Sequence, residues 1–139
     1  MHNLNNVLAD LFVLNIKTKN FHWNVKGSRF IMLHEFFQKH YEAMDDFIDE
    51  LAEQIKILGD TPIGSMKKFL ANTDLKEVSK SLDENGMLEE LLNDHKHMVK
   101  VLKDVISDYE NKNEPGAADM LTELLRFHEK TVWMLNSHL

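Results

Sequence analysis

Residues 33–54 read LHEFFQKHYEAMDDFIDELAEQ. Phe36, Phe37, Tyr41, Met44, Phe47, Ile48, Leu51, Ile55 and Leu58 recur at three- and four-residue spacing. That period is one apolar face of a long helix. The spacing predicts a helix from about Ile31 to Leu58, with Gly59 as its stop. The same segment carries His34, Gln38, Asp45, Asp49 and Glu53. At about 100° per residue these five fall within one stripe about 100° wide. His34 and Glu53 lie about 28 Å apart along the axis, too far to share an ion within one chain. The positions are symmetric, however, about a point between Ala43 and Met44. Two copies packed antiparallel across a two-fold axis there would set His34 against the partner subunit's Glu53, and Gln38 against the partner subunit's Asp49. An isologous contact makes two identical sites. Nitrogen and carboxylate donors suit iron or zinc. The plain alternative is a solvated face, because acids at i, i+4 are common on long helices.

Outward from this helix the chain keeps the same character. Leu4, Val7, Leu8, Leu11, Phe12 and Leu14 place a first helix over 3–21, with Asn3 as a possible cap. Gly27 and Ser28 break it from the second. In the long connection after Gly59, Thr61-Pro62 predicts a short helix near Ile63–Leu70. Further helices are expected over Asn85–Tyr109 and Ala117–Ser137, separated by ENKNEPGA. No strand pattern and no repeat occurs. Two long hairpins joined by a long crossover predict an all-α, ferritin-like four-helix bundle with a short extra helix between helices 2 and 3. At 139 residues it is expected to form a single domain over 1–139.

Composition narrows the function classes. The absence of cysteine excludes disulfides and thiolate metal sites. No apolar run approaches the length of a membrane span, and no signal-peptide pattern opens the chain, so a cytoplasmic protein is expected. The net charge of −7 repels phosphate backbones and suits a protein that gathers cations. HEFFQ approaches a zinc-protease helix, but Gln38 stands where a second histidine is needed. No Glu-x-x-His pair occurs, the nearest being Asp94–His97, so the ligands of a di-iron centre inside one bundle are missing.

NFHWNVKG at 20–27, then His34-Glu35, MDDFIDELAEQIKILG at 44–59 and the terminal VWMLNSHL together resemble the Dps family of mini-ferritins. The resemblance covers essentially the whole chain. It implies a hollow homo-oligomer, a dodecamer, which oxidises ferrous iron at dimer interfaces with hydrogen peroxide or oxygen. The ferric iron is stored inside, giving protection against oxidative damage. It also implies His22 and His34 from one subunit as ferroxidase ligands, with Asp49 and Glu53 from the two-fold partner. On its own, a histidine between Phe21 and Trp23 reads as a partly buried packing residue.

The chain departs from the family at Gln38, where an acid is usual. A neutral amide is the weaker ligand for iron, and Asp45 and His40 are the residues at hand to compensate. The alternatives are therefore a cage with an impaired ferroxidase site, or a DNA-protecting member without basic tails. DNA binding is not expected, since neither end carries a lysine-rich run. Zinc is a possible competitor for the site. Asp119 and Glu123 are the candidates for an iron-entry pore, where acids near a helix start are also favoured by the dipole. Lys130 lies where the family often places a lysine near the site. Trp23 and Trp133 are expected to pack, and DHKH at 94–97 reads as surface.

Overall fold

The computed structural model describes residues 3–139. Five helices follow in order: α1 (Leu4–Asn24), α2 (Phe30–Ile57), α3 (Met66–Asn72), α4 (Glu84–Asn111) and α5 (Pro115–His138). α1 and α2 form one hairpin, α4 and α5 the other, and α3 lies in the crossover against α1. This is the expected all-α, ferritin-like bundle.

The apolar stripes close on one core. Leu8, Leu11, Leu14 and Phe21 of α1 meet Leu33, Phe37, Met44, Leu51 and Ile55 of α2. Leu88, Leu91, Met98 and Leu102 of α4 and Leu121, Leu124 and Leu135 of α5 complete it. Burying a leucine or phenylalanine of this kind contributes about 1.5–3 kcal/mol.

Local chemistry fixes the ends. Asn3 and Asn6 cap α1 reciprocally, Asn6 N donating to Asn3 Oδ1 at 2.9 Å and Asn3 N to Asn6 Oδ1 at 3.0 Å. After α2, Gly59 at φ +87° turns the chain, so that Asp60 N reaches Ile55 O at 3.1 Å. Between α1 and α2, Gly27 sits at φ +137°, and a Cβ there would lie 2.7 Å from the Glu84 carboxyl carbon. Glu84 accepts from Arg29 N at 2.9 Å. The first turn is thereby pinned to the start of α4, and this sets where α2 begins.

The short crossover helix starts later than Thr61-Pro62 predicts. Asn5 holds the approach extended, its Nδ2 donating to Thr61 O at 3.0 Å and its Oδ1 accepting from Ile63 N at 3.0 Å. Ser65 then caps α3 by accepting from Lys68 N at 3.3 Å. Phe69 stacks on Phe12 with ring centroids 4.2 Å apart. Among the described residues, no helix is long and apolar enough to cross a membrane.

The α1–α4 contact is polar as well as apolar. The buried Lys17 ammonium is paired with Asp94 and donates to Glu90 Oε1 at 2.9 Å and Lys76 O at 2.8 Å. A lysine enclosed like this is tolerated because each of its donors finds an acceptor.

Candidate metal centre

His22 ends α1 and His34 lies just inside α2, on either side of the Gly27 turn. Their rings stack with centroids 3.8 Å apart and planes 13° apart. Each ring's Nδ1 faces the other residue's carbonyl, His22 Nδ1 to His34 O at 2.7 Å and His34 Nδ1 to His22 O at 2.6 Å. A carbonyl only accepts, so both Nδ1 atoms carry the proton. Both Nε2 atoms then hold free lone pairs. A hydrogen bond on the far nitrogen also orients a ligating imidazole and raises its basicity. Tyr41 packs edge-on to His22, and Phe30 stacks on His34.

The other expected ligands do not join this pair within one chain. Asp49 and Glu53 are exposed, four and five turns further along α2. Axial rise alone puts them about 22 and 28 Å from His34. Gln38 is half-buried, and its Nε2 donates to Glu42 Oε1 at 2.8 Å. The two compensating residues are otherwise engaged. Asp45 Oδ1 accepts from Asn15 Nδ2 at 3.1 Å and Lys19 Nζ at 3.3 Å. The His40 ring packs against Phe36 and Phe127, and its Nδ1 is 2.7 Å from Phe36 O.

Asp119 and Glu123 are exposed on the first turns of α5, but their surroundings differ. Asp119 borders a cleft with Glu110 and Glu114 and no cation, whereas Glu123 borders one where Glu129 is balanced by Arg126 and Lys130. The acidic neighbourhood belongs to Asp119. Lys130 is exposed beside Phe47 of α2.

Two expectations are corrected here. DHKH is not a surface run: Asp94 and His95 are buried, and only Lys96 is fully exposed. His95 Nδ1 lies 2.7 Å from Nδ1 of His128 on α5, and both rings are buried. Burial holds the His95 imidazole well below its ordinary pKa and lowers that of His128 to about 3. Both are neutral near pH 7, one donating to the other. Spacing within one helix could not reveal this pair, because the second member stands 33 residues away. Nor do the tryptophans pack inside the chain, Trp23 being 66% and Trp133 64% exposed. Both present large apolar faces outward.

The family model for the ferritin-like domain matches residues 1–139. The DNA protection during starvation protein 2 of Bacillus anthracis is 35% identical, over 98% of this chain and 93% of that protein. The DNA protection during starvation protein of Helicobacter pylori is 34% identical, over 98% and 95%. Dps from Staphylococcus aureus superposes with a TM-score of 0.95 at 34% identity, covering 98% of this chain and 91% of that one. This chain belongs to the Dps family. Another Dps neighbour, from Vibrio cholerae, is 31% identical with a TM-score of 0.93 over 96% and 84%. It is described as a member of a broad superfamily of ferritin-like diiron-carboxylate proteins. In this Dps chain the His22 and His34 rings are paired across the turn, and Asp49 and Glu53 stand apart from them along α2.

Proposed function

We propose that this Dps-family chain is an iron-sequestering mini-ferritin, which oxidises ferrous iron at sites shared between two subunits and stores the ferric product inside a dodecameric cage. The observation that carries this reading is the reciprocal His22–His34 arrangement, in which both Nδ1 atoms are engaged by backbone and the Nε2 atoms are left for a ligand. Asp49 and Glu53, exposed on the same helix, serve the partner subunit's histidines. The outward-facing Trp23, Ile31, Met32, Met66 and Leu70 supply apolar surface for such contacts between copies.

Iron is the substrate. Two ferrous ions each give one electron to one molecule of hydrogen peroxide. Its O–O bond breaks, and with two protons it leaves as two waters. The imidazoles fix the entering ion by neutral nitrogen, and the carboxylates offset its charge. Asp119, in its acidic cleft, is the better candidate for the entry pore. Gln38 leaves one of the paired positions a charge short, so the second ferrous ion binds more weakly than the first. Zinc competes for the same donors. The net charge of −7 argues against a DNA-compacting role.

The test is the double substitution His34→Ala with Asp49→Ala. Rapid ferrous oxidation by peroxide should vanish while light scattering still reports the assembled particle. Unchanged oxidation in that variant places the chemistry elsewhere.

A further inference from the structure

Away from the histidine pair, Asp10 of α1, Asp74 of the segment after α3 and His97 of α4 converge at the α1–α4 face. One ligating atom from each lies within 4.8 Å of the other two. Asp10 Oδ2 is 3.1 Å from His97 Nε2, and Asp74 Oδ2 is 3.8 Å from the same nitrogen. We infer that Asp10, Asp74 and His97 form a divalent-cation site of the zinc class within each chain, separate from the residues of the proposed ferroxidase centre.

Asp10 is fully buried, and its two oxygens have different tasks. Oδ1 accepts from Thr73 Oγ1 at 2.7 Å and from Asp74 N at 2.8 Å. Those bonds fix the carboxylate plane and leave Oδ2 directed at His97. This is the outer support that orients metal-ligating carboxylates. The same Asp74 whose amide holds Oδ1 offers its own carboxylate to the site, so one short segment both positions a ligand and supplies another.

The donor set selects the ion. Tetrahedral zinc, with bonds of about 2.0–2.1 Å, spaces its ligand atoms about 3.3 Å apart. The distances from His97 to Asp10 and to Asp74 bracket that value, and movement of the exposed Asp74 side chain would bring its carboxylate to ligand spacing from Asp10 as well. Two carboxylates and one imidazole offset the charge of a divalent ion. Calcium prefers six to eight oxygens, and copper(I) prefers sulfur. The Asp74 side chain is 49% exposed, so the site borders solvent. An ion held there cross-links α1, α4 and the irregular segment that connects α3 to α4.

Zinc chloride titrated calorimetrically into the His34→Ala, Asp49→Ala protein isolates this site from the proposed interface one. One zinc per chain is expected. Adding His97→Gln should weaken binding at least tenfold, as should adding Asp74→Ala, which alters an exposed side chain and keeps the fold. Thr73→Ala, which touches no ion, should weaken it by about tenfold through loss of the carboxylate's support. Absence of zinc binding in the parent background overturns the inference. So does binding that neither His97→Gln nor Asp74→Ala changes, provided circular dichroism shows every variant folded. The comparison is between variants in one background, so its outcome does not depend on where ferrous iron is oxidised.

Discussion

Mild acid should destabilise this Dps chain through His95 and His128. The unfolded histidine titrates near 6.5, whereas burial lowers the folded His128 to about 3. Between those values the unfolded chain binds a proton that the folded chain refuses. Stability contributed by the neutral ring is therefore fully present above about pH 6.5 and falls as the pH drops toward 3. At about 1.4 kcal/mol per pH unit, His128 alone removes about 2 kcal/mol between pH 8 and pH 5. His95, displaced in the same direction by its own burial, adds to the loss. The comparison is with His95→Leu, His128→Leu. Removing both partners of a buried polar pair with side chains of similar size is close to neutral at pH 8. It also removes the buried His128 Nε2, which has no hydrogen-bond partner among the described residues. Urea unfolding followed by far-ultraviolet circular dichroism at pH 8, 6.5 and 5 measures the slopes. Protomer concentration must be matched, because assembly shifts apparent stability. The wild type should lose at least about 2 kcal/mol more than the double variant across that range. Equal slopes would refute the reasoning, because the pair would then be accepting protons in the folded state.

Gln38→Asp should tighten the second ferrous ion, since one added charge beside two divalent cations contributes about 1 kcal/mol or more in a partly dehydrated site. An anaerobic ferrous titration reads the stoichiometry, and two equal ions already bound by the wild type would show that the amide is no handicap. Gly27→Ala should cost about 2 kcal/mol and slow iron oxidation, because φ +137° disfavours a side chain and Glu84 occupies the space. Thermal melts and an oxidation assay check both effects, and an unchanged melting temperature would contradict the reading. Duplex DNA should show no gel retention with micromolar protein at physiological salt and neutral pH without added divalent metal, whereas sub-micromolar retention would contradict the charge argument.

The fold was legible where one helix faces one core. The stripe from Phe36 to Leu58 predicts α2 to within a residue or so at each end. α3 starts later than Thr61-Pro62 predicts because Asn5 holds Thr61 and Ile63 from 56 and 58 residues away. No local pattern encodes that contact. His34 stood out by its stripe, but His22 could be singled out only through the family resemblance, because its partner lies across a turn. The buried His95–His128 pair and the Asp10–Asp74–His97 cluster escaped for the same reason. Periodicity reports which residues share a helix face and is silent about what a different helix brings opposite them.

The carbonyl bonds between His22 and His34 also bear on timing. Each ring is held by the other's backbone before any ion arrives, so capture need not restrain two loose side chains, at about 0.5–1.5 kcal/mol each. The oxygen half of the proposed centre belongs to another copy. A newly made chain would then carry a finished nitrogen clasp with nothing to complete it. On that proposal it would gain the power to oxidise iron only on meeting its twin. Oxidation and the start of assembly would be switched on by one event, so a lone chain would have no means of forming ferric iron.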